Sequence, residues 1–173
     1  MSNSMNIKNR FWTLINCIQK SFFISSRFRS VLFNLAGCDV DPSARIAPGS
    51  FFGSNKVRLK SNVFINVNGF FDGSEYIYFE EFVRVGPHVK ILTGSHTVNP
   101  GVLRRSGNSK TMNLPVTIKR GAWIGMGAVI LPGVTISEGC VIGAGSVVVH
   151  STESNGLYAG NPAKRIKDLP TES

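Results

Sequence analysis

Residues 116–148 read VTIKRGAWIGMGAVILPGVTISEGCVIGAGSVV, and this run decides the fold. Ile118, Ile124, Ile130, Ile136, Ile142 and Val148 stand six apart without a gap. Gly121, Gly127, Gly133, Gly139 and Gly145 recur at the third position after each aliphatic residue, and Ala122, Ala128, Val134, Cys140 and Ser146 at the fourth. A six-residue period fits neither a 3.6-residue helix nor a two-sided strand. It suits a coil of short strands, each closed by a tight turn, with the aliphatic residue facing the core of a narrow triangular prism. The small residue then tucks into the corner, where glycine frees the backbone.

The same spacing appears upstream at Leu59, Ile65, Phe71, Ile77, Val83 and Val89, and again at Val40, Ile46 and Phe52, with one extra residue between Phe52 and Leu59. At three hexads per turn these positions predict an all-β parallel β-helix of about five coils. The predicted organisation is an amphipathic helical segment at 1–36, the β-helix at 37–151 and a tail at 152–173.

The chain has 173 residues, 42% of them hydrophobic and 17% charged, which fits one domain with appendages. Nineteen Lys and Arg against ten Asp and Glu give +9 and favour an anionic partner: nucleic acid, a membrane surface or a phosphorylated cofactor. No interleaving of basic and aromatic residues points to nucleic acid. Cys17, Cys38 and Cys140 are odd in number and lack C-x-x-C spacing, which argues against a disulfide framework or zinc site and for a reducing, cytoplasmic setting.

Phe11 to Ile24 is apolar, but Lys8, Arg10, Lys20, Arg27 and Arg29 in and around it leave no run long enough to span a bilayer. The stretch from Ile7 to Leu35 reads as one or two basic amphipathic helices closed by Gly37. Such a segment packs on its own protein or a neighbouring subunit, or rests on anionic lipid.

The hexads stop between Val89 and Ile118. A polar loop, Ser95 to Pro115, interrupts them with Gly101, Arg104, Arg105, Gly107, Asn108 and Lys110. Long loops in compact repeats carry function more often than structure. At its entrance stands His96, one of three histidines; His88 follows Gly86-Pro87 and reads as a corner residue, and His150 lies at the exit of the last hexad. Imidazole can take a proton from a hydroxyl near neutral pH, which makes His96 the candidate general base. Trp123, beside two glycines on a face of small residues, offers a flat apolar wall.

The hexads Ile124-Gly-x-x-Ala128 and Ile142-Gly-x-x-Ser146, the succession of His, loop, proline and V-T-I-x-x-G-x-W-I-G, and the ending Tyr158-Ala-Gly-Asn-Pro-Ala-Lys-Arg-Ile-Lys resemble the hexapeptide-repeat acetyltransferases. The likeness runs from about Val57 to Lys167 and is nearest to the galactoside, maltose and surface-polysaccharide O-acetyltransferases. It implies a left-handed prism, although general crossover rules favour the other hand. It also implies a homotrimer with sites between neighbours, acetyl-CoA as donor without a metal, and a carbohydrate acceptor. His96 falls on the catalytic histidine and Asn66, in Phe64-Ile-Asn-Val-Asn68, on the acceptor-site asparagine. Gly125, Met126 and Ala144 fall where main-chain groups meet the thioester end of the donor, and Lys164, Arg165 and Lys167 where basic groups meet its phosphates. Val149-His150 stands where relatives frequently have Thr-Lys, so His150 replaces one cofactor contact or loses it. The basic N-terminal segment departs from the acidic helices of the galactoside and maltose enzymes and puts those two acceptors in doubt.

The resemblance implies O-acetylation of a sugar in surface-polysaccharide synthesis. Serine or amino-sugar N-acetylation on the same fold, and a non-catalytic β-helix scaffold, remain open from sequence. A γ-type carbonic anhydrase needs a zinc-binding histidine set whose spacing is missing here.

Overall fold

The structure, a computed structural model, describes residues 2–105 and 109–171 and, within these, side chains from residue 11 onward. Gly107 and Asn108 of the predicted loop, and the side chains of Lys8 and Arg10, lie outside the described residues. Two helices, α1 (Ser2–Gln19) and α2 (Ser26–Leu35), precede the strands. The first coil is β1 (Asp39–Val40), β2 (Arg45–Ile46) and β3 (Phe51–Phe52); the second is β4 (Val57–Leu59), β5 (Phe64–Ile65) and β6 (Phe70–Phe71). The third is β7 (Ile77–Phe79), β8 (Arg84–Val85) and β9 (Lys90–Ile91). A ribbon of β10 (Gly94–His96) and β11 (Thr111–Asn113) follows. The fourth coil is β12 (Val116–Ile118), β13 (Trp123–Ile124) and β14 (Val129–Ile130), and the fifth is β15 (Thr135–Ile136), β16 (Val141–Ile142) and β17 (Val147–Val148). A hairpin of β18 (Gly156–Gly160) and β19 (Ala163–Asp168) ends the fold.

The coils stack in parallel into three faces. Face A is β1-β4-β7-β12-β15, face C is β3-β6-β9-β14-β17, and face B is β2-β5-β8-β13-β16 extended by β18 and β19. The chain is thus a left-handed parallel β-helix of five complete coils, with β18 opening a sixth on face B. Its core is a column of fully buried aliphatic and phenyl side chains, Ile118, Ile124, Ile130, Ile136 and Ile142 below and Phe52, Phe71 and Phe79 above. Each contributes about 1.5–3 kcal/mol on leaving water.

The ladder corrects one part of the sequence reading. Phe79, Val85 and Ile91 pair with Ile118, Ile124 and Ile130, so the hexad register of Ile77, Val83 and Val89 is two residues out. Side chains two apart on a strand face the same way. Two residues inserted at the corner before Ile77 therefore still leave an aliphatic residue pointing inward, and Ile77, Val83 and Val89 are buried as well.

The corners require left-handed backbone. Between faces A and B the stacked positions are Asn62, Phe82, Gly121, Gly139 and Asn155, all with φ between 54° and 68°. Between B and C, His88 (φ 58°) stacks with Asn68 and Gly127, which makes His88 a corner residue.

The helices close the open end of the prism with polar side chains. Asn16 bonds the edge of face C in strand fashion, Nδ2 donating to Phe52 O (2.9 Å) and Oδ1 accepting from Phe52 N–H (3.0 Å). Asn34 does the same for face A at Val40 (2.7 and 2.8 Å). Ser30 and Arg29 reach the carbonyls of Ala44 (3.0 Å) and Ile46 (3.4 Å) on face B. Phe33 plugs the core against Phe52 at 4.4 Å between ring centroids. Ser25 caps α2 by accepting from Phe28 N–H, and Gly37 (φ 87°) ends it, donating to Asn34 O at 2.9 Å.

Candidate active site

The groove lies on face B and its corner with face C. It has a volume of about 760 Å³ and is lined by Phe64, Asn66, Arg84, Trp123, Gly125, Met126 and Ala144 among others. Two rows of the ladder build it. The outward row runs Phe64, Arg84, Trp123, Val141, Leu157, Lys167 through successive strand pairs. The corner row follows from N–H donation by Asn66 to Val85 O, Gly86 to Ile124 O, Gly125 to Ile142 O and Gly143 to Tyr158 O (2.8–3.0 Å), and continues through Ala159 to its partner Lys164.

Glycine at 125 is a packing requirement. A Cβ there would stand 2.6 Å from Ile142 O and 2.7 Å from Ala144 N, backbone atoms that cannot yield. The N–H groups of Met126 and Ala144, two residues that line the groove, donate no backbone hydrogen bond among the described residues. Asn66 Oδ1 accepts from Val67 N–H at 2.8 Å, which leaves its amide NH₂ for a ligand.

Lys164 and Lys167 share one side of the terminal hairpin because a bulge passes over Ile166. Arg165, between them, points the other way. It donates to Tyr158 Oη (3.0 Å) and the carbonyls of Glu153 and Ser154, and pairs with Asp168 at 2.7 Å. Its guanidinium holds the hairpin closed, with its donors already engaged.

His96 is not in this groove. The chain leaves face C after Ile91 and returns to face A at Val116, so His96 belongs to the C–A corner. The expected loop is in part an ordered antiparallel ribbon, Gly94 to His96 against Thr111 to Asn113. Asp72 fixes its base, Oδ2 accepting from Gly94 N–H (2.7 Å) and from Thr93 N–H and Oγ (both 3.1 Å), and Oδ1 from Ser74 (3.1 Å). Partial burial pushes this carboxyl up, but the bonds from Thr93, Ser74 and Gly94 outweigh it and hold it below its ordinary value.

The imidazole of His96 is half-buried. Arg105 Nη2 stands 2.7 Å from Nε2, and since a guanidinium only donates, Nε2 carries the lone pair and Nδ1 the proton. Nδ1 is buried with no partner among the described residues. The outward nitrogen is therefore the basic one. His150 is exposed on the same C–A corner, away from Trp123.

Sequence reading missed Phe64, Arg84 and Asp72. Arg84 is cross-strand from Trp123, a neighbour visible only in the corrected register. Cys140 is buried, with Sγ 3.0 Å from Glu153 O, and burial pushes the Cys38 thiol up to about 12, Arg58 offsetting part of the rise. Neither offers a nucleophile. Among the described residues no group of three His, Cys, Asp or Glu is placed to hold a metal ion.

A triangular parallel β-helix with a groove along a glycine-built edge and a histidine ribbon on the next defines a hexapeptide-type transferase scaffold. The bacterial transferase hexapeptide model (six repeats) matches residues 115–150. A protein of Dictyostelium discoideum, provisionally named an acetyltransferase, is 40% identical over 134 residues, covering 78% of this chain and 66% of the relative. One of Staphylococcus haemolyticus, named in the same way, is 35% identical over 145 residues, covering 83% and 73%. A hexapeptide-repeat acetyltransferase of Vibrio cholerae, solved with acetyl coenzyme A, has a TM-score of 0.80 over 98% of this chain and 91% of that chain at 24% identity, a likeness of fold. The chain belongs to the hexapeptide-repeat transferase family. It spans 55–66% of the length of five of its curated relatives.

Proposed function

We propose that this protein transfers acetyl from acetyl-CoA to a carbohydrate hydroxyl in a ternary complex, with His96 as general base. The observation that carries the reading is the 2.7 Å contact of His96 Nε2 with a guanidinium, a group that only donates, on a ribbon anchored at one edge, beside a prism edge graded from Asn66 to Lys164 and Lys167. The two lysines meet the nucleotide phosphates, and the pantetheine arm lies along Trp123 and the glycine corners. The N–H groups of Met126 and Ala144 hold the thioester carbonyl.

The acceptor hydroxyl displaces Arg105 at Nε2, and Asn66 orients it. As Nε2 takes the hydroxyl proton, the oxygen attacks the thioester carbon. The tetrahedral adduct collapses with loss of the CoA thiolate, which takes the proton back from the imidazolium. Buried Cys140 and Cys38 favour direct transfer over an acyl-enzyme.

The separation of His96 from the groove within one prism supports a homotrimer in which the ribbon of one chain covers the groove of the next. Exposed Val98, Val102 and Leu103, in the connection between the two ribbon strands, suit that contact. The acceptor is a precursor of a surface polysaccharide, modified on the cytoplasmic side, where three free cysteines stay reduced.

Thiol release from acetyl-CoA with a panel of free sugars, nucleotide sugars, amino sugars and serine tests the reaction. Turnover on a sugar hydroxyl, lost in His96→Ala, supports it; turnover on amines alone, or an active His96→Ala, overturns it. Mixing His96→Ala chains with Ala144→Arg chains, whose grooves are plugged, tests the shared site: activity returns in the mixture if neighbours share it and stays absent otherwise.

A further inference from the structure

The N-terminal helix pair is amphipathic in an inverted sense. Its polar side chains Asn16, Gln19, Arg29 and Ser30 are buried against the first coil. Its outer surface carries Leu14, Ile18, Phe28, Val31 and Leu35, and the turn between the helices presents Phe22 at 82% and Phe23 at 102% exposure. Ser21 N–H to Ile18 O (3.2 Å) and Ile24 N–H to Ser21 O (3.3 Å) fix the turn, so the two rings project from a tip. The core makes no use of these side chains.

Along the sequence the helix pair carries charge of one sign: no acidic residue precedes Asp39, and Lys20 and Arg27 flank the turn. Arg29 is turned inward. A second copy of this chain laid on the same surface would bring cation against cation. The chemistry that complements protruding phenyl rings flanked by two cations is an anionic lipid surface, which takes rings at the acyl boundary and pairs cations with headgroup phosphates. No helix among the described residues is long and apolar enough to cross a membrane.

We propose that this protein docks on anionic bilayers through the outer face of α1 and α2, with Phe22 and Phe23 as the inserted pair and Lys20 and Arg27 at headgroup level. This contact is independent of the transferase chemistry and presents the prism to membrane-borne substrates.

Sedimentation of the full chain with phosphatidylcholine vesicles, with and without phosphatidylglycerol, tests the proposal. The expected result is sedimentation with the anionic vesicles that weakens as salt rises. Phe22→Ser/Phe23→Ser should partition at least about tenfold less, with unchanged Tm and unchanged transfer to a soluble acceptor. Lys20→Gln/Arg27→Gln should lower partition and flatten the salt dependence. Equal partition onto both vesicle types, or an unaffected Phe22→Ser/Phe23→Ser variant, overturns the proposal. So does a smaller oligomer of that variant in analytical ultracentrifugation, which would assign the face to contacts between copies.

Discussion

The two edges that carry the candidate site are built on opposite principles. At the B–C edge successive coils touch backbone to backbone, the ladder runs on unbroken, and side chains are excluded wherever a Cβ would strike the next coil, as at Gly125. At the C–A edge the ladder opens, a ribbon leaves the prism, and the carboxylate of Asp72 gathers the bonds at its base, with Leu114 N–H donating to Thr93 O beside it. The first edge is a rigid track suited to a long, flexible donor. The second, in the proposed reaction, holds the base on a ribbon that stands outside the core. In the proposed reaction, binding and proton transfer are thus housed in parts that can fail separately.

The largest expected effect separates them by chemistry. His96→Ala should lower transfer by about 10²–10⁴-fold while acetyl-CoA affinity, read by calorimetry, stays within about twofold. Loss of CoA binding in that variant would erase the distinction between the edges. Gly125→Ala strikes the track, and its backbone clash should cost about 1–3 kcal/mol of stability in denaturant unfolding. Gly127→Ala, where a Cβ meets nothing within 4 Å but φ is 70°, should cost about 1 kcal/mol.

Asp72→Asn should act on the ribbon alone, lowering kcat about tenfold through misplacement of His96 with the KM for acetyl-CoA unmoved. Because the folded-state carboxyl is held below 3.8, its contribution to stability is present above that value and lost as pH falls through the folded value. The Tm difference between wild type and Asp72→Asn should therefore be flat above about pH 5 and close in stronger acid. The smallest effect lies at the third edge, with no role in the site. Phe82, a bulky residue at φ 61°, should be stabilised by about 1 kcal/mol on replacement by glycine, with kinetics unchanged.

These edges also differed in how far sequence exposed them. The track was legible because its requirements are written as residue types: glycine at 125 and 143, tryptophan at 123, an uninterrupted six-residue period. The ribbon was legible as an interruption, which located His96 but hid Asp72, whose partners Thr93 and Gly94 lie a whole coil away along the chain. The upper coils misled for a physical reason. Inward positions two apart are equivalent on a strand, so the slip before Ile77 left a plausible pattern and concealed Arg84 beside Trp123. The helices were legible as basic and amphipathic, but nothing in their periodicity said that asparagine, serine and arginine would face inward. That follows from the unpaired edge strands they meet.

The side-chain clamps at that end have one more consequence. A column of parallel strands left open presents carbonyls and amides on which another column can seat and grow, end upon end, without limit. Asn16, Asn34, Ser30 and Arg29 occupy groups of all three first-coil strands. They give the stack a defined first layer, and so keep a shape whose geometry favours filaments as a particle of finite length.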